Sequence, residues 1–338
     1  MTRVDLENHF ATEAWIDALR RNPGYPRLEP DPETGGERLY FFPDAFMPFG
    51  VSTKLLDLDA GRIAALDAAG VDIAVLSLAA PGVEALPPAV GARLARECND
   101  LLAEAIARHP ERFRGYAALA PKDPEEAVRE LERAVKELGF KGWNVHSNFG
   151  DSFLDEKHYW PILAKAEELD VPIYLHPTVP LIPQFRTYGQ GLAGASFGFG
   201  AETAMVMMRL ITSGAFDAFP KLKTVLGHYA EGLPFMLDRV DRPYVQGHVK
   251  TDPNLAPELK KLPGAYLREN MYASTSGNYS REAFICTKNA LGADHMVLGT
   301  DYPYEDMVAC LRFLGSQEMT PEERIQLEVR TAASLGML

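Results

Sequence analysis

The feature that most constrains this sequence is a regular alternation of short apolar segments with amphipathic helical segments. Eight short apolar segments read as buried β-strands. They lie at Arg3–Leu6, Val71–Ala79, Phe113–Ala120, Gly139–His146, Val171–Pro177, Leu222–His228, Leu267–Ser276 and Asp294–Asp301. Helices are predicted at Ala11–Arg21, Val90–Pro110, Pro124–Leu138, Tyr159–Leu169, Ala201–Ser213 and Arg281–Leu291, and from about Gly232. This pattern in 338 residues favours an α/β chain folded as one (β/α)8 TIM barrel over residues 1–338.

A doubly wound open sheet is the alternative fold. Neither of the two glycine-rich nucleotide-binding patterns, G-x-G-x-x-G or G-x-x-x-x-G-K-[ST], occurs where a strand would turn into a helix. The sequence therefore lacks the usual signal for a nucleotide at such a sheet.

One long segment interrupts the alternation after the first helix. From Asn22 to Gly50 the chain is rich in Pro, Gly and aromatic residues and has no helical periodicity. A connection of this length in a compact domain is usually functional or disordered, and its aromatic content favours packing. We predict an inserted loop or lid over residues 22–56.

The composition and net charge of the chain limit the kinds of binding partner that we expect. The chain is 46% hydrophobic and carries a formal net charge of −13, which disfavours nucleic acid and anionic membrane surfaces. No apolar run approaches membrane-spanning length. Cys98, Cys286 and Cys310 are scattered and lack metal-binding spacing, so we expect reduced thiols in a cytoplasmic enzyme.

Ionisable residues concentrate where the predicted strands end. The first strand leads into Glu7 and His9, two positions apart and so on one face of a strand. Other strands end in His146, His176, His228 and Asp301. In a barrel these ends open onto one mouth, where active sites are built. Each residue alone has an ordinary structural interpretation, and their coincidence at one mouth is what indicates function.

Mixed carboxylate and imidazole ligands suit a borderline divalent cation such as Zn²⁺ or Mn²⁺. Glu7, His9, His176 and Asp301 would form such a site, with His228 left as an acid or base. His146 is a less certain neighbour.

Four stretches resemble one known family: LENHFAT at 6–12, VPIYLHP at 171–177, LGHYAEGLPFMLDRVDR at 226–242 and LGTDYPYE at 298–305. In order and spacing they resemble the ACMSD-like branch of the amidohydrolase superfamily, which includes γ-resorcylate, 2,3-dihydroxybenzoate and 5-carboxyvanillate decarboxylases. The resemblance covers nearly the whole chain. It implies metal-dependent, non-oxidative decarboxylation of a hydroxylated aromatic acid.

Carried over by position, the resemblance implies that Glu7, His9, His176 and Asp301 bind one divalent ion and that His228 is catalytic. Asp301 is then the best donor of a proton to the ring carbon, after which CO₂ leaves. The resemblance also assigns the substrate carboxylate to Arg239. Since Arg239 lies eleven residues beyond His228, we expect it to serve a neighbouring subunit of a homodimer or homotetramer.

Phe197, Phe199 and Tyr302 are predicted to line the pocket of a small aromatic carboxylic acid. Two other functions stay open at this point. A metal-dependent hydrolase, lactonase or hydratase of a ring-cleavage product is weakened because Asn144-Val145-His146 stands where hydrolytic relatives often carry a lysine. A non-catalytic ligand-binding barrel is weakened by the intact set of polar residues.

Overall fold

A computed structural model of the chain describes residues 2–249, 252, 255 and 257–338. The strands in chain order are β1 (Val4–Phe10), β2 (Arg27–Pro30), β3 (Glu37–Phe42), β4 (Ala45–Pro48), β5 (Ile73–Leu78), β6 (Phe113–Gly115), β7 (Trp143–His146), β8 (Ile173–His176), β9 (Thr224–Leu226), β10 (Met271–Ser274) and β11 (Met296–Val297).

Eight of these strands form two parallel sheets. One sheet has the order β1-β5-β6, and the other has the order β11-β10-β9-β8-β7. Parallel bridges join the sheets at both pairs of edges, between Asn8 and Tyr302 and between Ala117 and Trp143. An α/β architecture with parallel strands is therefore confirmed, and the carboxyl ends of all eight strands share one side.

The first strand differs from its predicted bounds. It runs from Val4 to Phe10 and is buried throughout, whereas Arg3–Leu6 was predicted. Glu7 and His9 therefore lie within the strand and not after it. Asn8, between them, donates from its side chain to the buried carboxylate of Asp5, which also accepts from the backbone nitrogen of Thr300 at 3.0 Å.

The segment after the first helix is more regular than predicted. Strands β2, β3 and β4 form an antiparallel sheet in the order β2-β3-β4. Gly35, at φ +73°, supplies the left-handed turn between the first two of these strands. Leu28, Leu39 and Phe41 are buried in the main core, so the sheet packs on the rest of the chain.

Helices flank the parallel strands. The α-helices lie at Glu13–Arg21, Ser52–Leu56, Ala60–Ala69, Pro88–Arg108, Pro124–Lys136, Trp160–Glu168, Gln190–Ala193, Gly198–Thr212, Ala215–Ala218, Leu237–Val245, Pro263–Glu269, Arg281–Leu291, Met307–Ser316, Pro321–Ile325 and Thr331–Ser334. Short 3₁₀ segments lie at Lys157–Tyr159, Pro183–Arg186, Leu233–Met236 and Ala293–His295, and a π-helical turn lies at Gln326–Arg330. Across the described residues, no helix has the length and apolarity needed to cross a membrane.

The first helix shows why these segments are helical. The Thr12 hydroxyl caps it by accepting a hydrogen bond from the backbone nitrogen of Trp15 at 3.1 Å. Trp15, Ile16 and Leu19, at helical spacing, are buried against the core. The helix at Ala60–Ala69 was missed in the sequence because its apolar stripe is weak.

Candidate active site

Four side chains converge beside the carboxyl ends of the parallel strands. Glu7, His9, His176 and Asp301 each offer one ligand atom, and these atoms all lie within 4.8 Å of one another. The four were predicted from sequence as one metal site, and the structure brings them together. Two carboxylates and two imidazoles form a donor set suited to a divalent cation.

Strand register places the two histidines. His9 pairs with Ser77 of β5, and its Nδ1 lies 3.0 Å from the Ser77 hydroxyl. The other ring nitrogen of His9, Nε2, lies 2.9 Å from Asp301 Oδ1. His176 ends β8, and its Nδ1 donates to the Pro177 carbonyl at 2.8 Å. The lone pair of His176 is therefore on Nε2, which points into the cluster.

Two buried atoms of this cluster have no hydrogen-bond partner among the described residues. They are Glu7 Oε1 and His176 Nε2, which lie 3.8 Å apart. Burial raises the pKa of Glu7 and lowers the pKa of His176 well below its usual value, where His9 adds to the effect. A cation bound between Glu7 Oε1 and His176 Nε2 would satisfy both of these buried acceptor atoms.

Ser274 orients Glu7 from the neighbouring strand. The Ser274 hydroxyl donates a hydrogen bond to Glu7 Oε2 at 2.8 Å. The hydroxyl of the next residue, Thr275, donates to the Gly299 carbonyl at 3.1 Å. A Cβ atom at Gly299 would lie only 1.9 Å from Ser274 Oγ. The absence of a side chain at Gly299 therefore keeps the Ser274 hydroxyl against Glu7.

Gly299→Ala is expected to weaken metal binding about 10-fold or more, because it displaces the hydroxyl that orients a ligand. Metal titration of stripped protein measures this effect. Gly315→Ala is the matched control, since nothing lies within 4 Å of a Cβ placed at Gly315. Equal metal affinity of the two variants would contradict the role of Gly299.

A left-handed turn carries His228. The residues from His228 to Glu231 have φ between 53° and 58°, and Gly232 follows at 78°. Such a conformation costs roughly 1–2 kcal/mol for each non-glycine residue. The turn brings Glu231 Oε1 to 2.7 Å from His228 Nδ1, while His228 Nε2 lies 3.9 Å from Asp301 Oδ2.

These carboxylates set the charge of His228. Burial disfavours the imidazolium, but the charge of Glu231, and then the nearby Asp301 carboxylate, outweigh burial and raise the pKa of His228 well above its usual value. For Asp301, burial opposes ionisation, while the neighbouring imidazoles of His228 and His9 prevail and lower its pKa. Each group thus favours the charged form of the other.

Glu231→Gln is expected to lower turnover about 10- to 100-fold while metal content is unchanged, because the amide keeps the contact but removes the charge that holds the proton on His228. Steady-state kinetics with elemental analysis check both parts. Glu269→Gln, which alters an exposed glutamate paired with Lys261, is the control. Turnover of Glu231→Gln equal to that of the control would contradict this role.

A cavity of about 680 Å³ opens beside the cluster. Its lining includes the cluster residues His176 and Asp301, together with His228 and Glu231. Aromatic and apolar walls come from separate segments of the chain. They are Phe41, Met47, Phe197, Phe199 and Tyr304. The volume is typical of a pocket for a small organic molecule.

Three residues predicted to bind the substrate do not belong to this lining, which is formed by described residues. Tyr302 packs under the guanidinium of Arg62, 4.9 Å from the ring centre, and Tyr304 takes its place in the wall. His146 is buried, and its Nδ1 binds Glu84 Oε1 at 2.9 Å. Arg239 is exposed on the helix Leu237–Val245. Phe197 and Phe199 do line the cavity, as predicted.

Sequence reasoning missed Glu231, Tyr304 and Glu305 as lining residues. A signal was present for Glu231, since it lies three residues after His228. The sequence gives no indication that this spacing forms a left-handed turn.

A family model described as amidohydrolase matches residues 7–335. The chain belongs to the amidohydrolase family. This amidohydrolase is 39% identical to γ-resorcylate decarboxylase from a Polaromonas species, over 99% of this chain and 98% of the relative. It is 36% identical to γ-resorcylate decarboxylase from Rhizobium radiobacter, with the same coverage.

Solved structures of decarboxylases also resemble this amidohydrolase. The 5-carboxyvanillate decarboxylase from Sphingomonas paucimobilis has a TM-score of 0.88 and 31% identity, covering 100% of this chain and 99% of its own. A dihydroxybenzoic acid decarboxylase from Polaromonas, solved with manganese and 2-nitroresorcinol, has a TM-score of 0.84 and 35% identity, covering 100% and 97%. The expected family is therefore confirmed.

Proposed function

We propose that this amidohydrolase is a metal-dependent carboxy-lyase that removes CO₂, without oxidation, from a hydroxylated aromatic acid of the ortho-hydroxybenzoate type. One observation carries the proposal: a four-residue metal cluster and a proton-holding histidine open into the same aromatic-walled cavity. Full-length relatives named as γ-resorcylate decarboxylases support it.

Glu7, His9, His176 and Asp301 would hold the divalent ion, Mn²⁺ or Zn²⁺. The unpartnered Glu7 Oε1 and His176 Nε2 fit a cation, and a related decarboxylase structure contains manganese. When bound, the ion supplies positive charge that anchors and polarises the acidic substrate.

The chain's own residues would supply the proton. Glu231 holds Nδ1 of His228, so the proton on Nε2 faces Asp301. We infer that it passes to the Asp301 carboxylate and then to the ring carbon that bears the substrate carboxylate. The carbon–carbon bond then breaks, its electron pair restores the aromatic ring, and CO₂ leaves. Solvent returns a proton to His228.

Aromatic side chains would orient the ring and exclude water. Phe197 and Phe199 begin the helix Gly198–Thr212, and Tyr304 follows Asp301 in the same loop. Phe41 reaches the cavity from β3. Residues 22–56 would thus form a lid whose antiparallel sheet supplies part of the substrate wall.

We further infer that residues 1–338 form a single domain in which the eight parallel strands close into a (β/α)8 barrel. The bridges at both pairs of sheet edges support closure. The free cysteines Cys98, Cys286 and Cys310 support the expectation of a cytoplasmic enzyme.

A homodimer or homotetramer would bring Arg239 to a neighbouring active site. Asp238, which precedes Arg239 in the chain, pairs with Arg242 at 2.9 Å. Exposed apolar side chains flank Arg239 in sequence, with Phe235 83% and Val245 70% exposed. Apolar exposure of this kind is typical of a surface that another copy covers.

Mixing two inactive variants tests whether Arg239 acts in the partner's site. If Arg239→Ala and Asp301→Asn subunits re-associate at random as dimers, we expect about a quarter of wild-type activity, because each mixed dimer carries one complete site. Unmixed variants serve as controls. If activity does not recover although mixed dimers form, Arg239 does not act in the neighbouring site.

The function itself is tested by assaying metal-loaded protein for CO₂ release from a panel of ortho-hydroxybenzoates. Release from at least one member, dependent on the metal, is the expected result. Metal-loaded, folded protein that releases CO₂ from none would overturn the proposal.

A further inference from the structure

The charges that line the cavity are unusually one-sided. Glu231, Asp301 and Glu305 line it, whereas no lysine or arginine lines it within residues 2–249, 252, 255 and 257–338. The imidazole of His228 is already paired with Glu231 at 2.7 Å. Asp301 is paired with His9 at 2.9 Å. Glu305 is therefore the lining carboxylate that the mechanism leaves unused.

Glu305 is held in place but weakly bonded. Its backbone nitrogen donates to the Asp301 carbonyl at 3.0 Å, which fixes it relative to the site. Its carboxylate accepts one long hydrogen bond, 3.5 Å from the Tyr279 hydroxyl. That hydroxyl lies equally far from the Asp306 carbonyl, so the contact is shared. The Glu305 carboxylate thus keeps acceptor capacity toward the cavity.

The environment of Glu305 makes it sensitive to charge. Glu305 lines the same cavity as the acidic residues Asp301 and Glu231. A further negative group placed against this wall would be repelled by these carboxylates, because no lysine or arginine among the described residues of this chain lines the cavity to offset them. A hydroxyl group would instead donate a charge-assisted hydrogen bond.

We propose that Glu305 determines substrate selectivity, favouring aromatic acids whose additional ring substituent is a hydrogen-bond donor, such as a phenolic hydroxyl, and rejecting those that carry a second carboxylate. This inference rests on the proposed function and names its substrate class: dihydroxybenzoates are accepted, whereas dicarboxylates of the 5-carboxyvanillate type are not. Selectivity arises here from a repulsive element as much as from an attractive one.

The test compares kcat/KM of the metal-loaded enzyme for 2,6-dihydroxybenzoate and 5-carboxyvanillate. Wild type is expected to prefer the dihydroxybenzoate by about 100-fold or more, since juxtaposed like charges cost several kcal/mol. Glu305→Gln should narrow this ratio about 10-fold or more, and the dicarboxylate should gain in absolute rate. Glu318→Gln, which removes the same charge from a side chain that is 93% exposed, should leave the ratio unchanged.

A second variant covers the case in which Glu305→Gln does not fold. Asn278 lines the same cavity, and its Oδ1 accepts from the Ser280 nitrogen at 3.1 Å. Asn278→Asp adds a negative charge to this wall and should widen the preference for the dihydroxybenzoate. A wild-type preference for the dicarboxylate, or a ratio that neither variant shifts, would overturn the role of Glu305 while leaving decarboxylation intact. Failure of both acids, and of every ortho-hydroxybenzoate in the panel, would instead overturn the proposed function.

Discussion

Asp301→Asn is expected to reduce CO₂ release by about 10³-fold or more. Positioned general acids contribute about 10²–10⁴-fold, and Asp301 is also expected to bind the metal. In the structure Asp301 is the only described residue that contacts His9, faces His228 and lines the cavity at once. The amide keeps the shape of the side chain but cannot pass a proton to the ring carbon. Initial rates of CO₂ release measure the loss.

Elemental analysis of Asp301→Asn separates its two roles. If the variant keeps the metal, the lost rate belongs to proton transfer, and if it does not, the lost rate includes a missing ligand. Asp294→Asn is the matched control, because Asp294 is 68% exposed and its carboxylate pairs with His295 at 3.6 Å, outside the cavity lining. Activity within tenfold of this control would rule out Asp301 as the proton donor.

Removing the metal with a chelator is expected to abolish turnover and lower the melting temperature, and Mn²⁺ is expected to restore both. Without a cation, Glu7 and His176 keep buried polar atoms with no hydrogen-bond partner among the described residues. A ligand that binds only the folded state stabilises it by about 2.7 kcal/mol at 100 times its Kd. Calorimetry with and without Mn²⁺ measures the shift.

In His176→Ala, Mn²⁺ should restore neither turnover nor the melting temperature, because the substitution removes the imidazole whose Nε2 points into the cluster. His158→Ala is the control, since His158 is 56% exposed and pairs only loosely with Glu156. Full activity of stripped wild-type protein would show that the four-residue cluster has a structural role alone.

Much of the parallel framework could be predicted because its signals are local. Apolar segments such as Val171–Pro177 mark buried strands, and proline marks helix starts, as at Pro124. Exact ends were less accurate, because strand pairing and not composition sets them. The β2-β3-β4 sheet was missed as a sheet, since its strands are short and alternate only loosely.

The four-residue cluster was predictable because residues two positions apart on a strand share a face. In addition, the carboxyl ends of parallel strands lie on one side of the sheet. The pairing of His228 with Glu231 could not be predicted from the sequence. Glu231 reaches His228 only through a turn of four left-handed non-glycine residues, which no local propensity favours. Likewise, whether Tyr302 or Tyr304 faces the cavity depends on the path of one loop, and the sequence does not specify that path.

Phe41 and Met47 reach the cavity from the antiparallel sheet, far along the chain from the strands that carry the ionisable residues. Part of the cavity wall is thus encoded apart from the residues proposed to carry the chemistry. Such a division makes residues 27–48 an exchangeable cassette. Swapping this cassette between relatives would be a route to new substrates that leaves the proposed metal ligands and the proposed proton path unaltered.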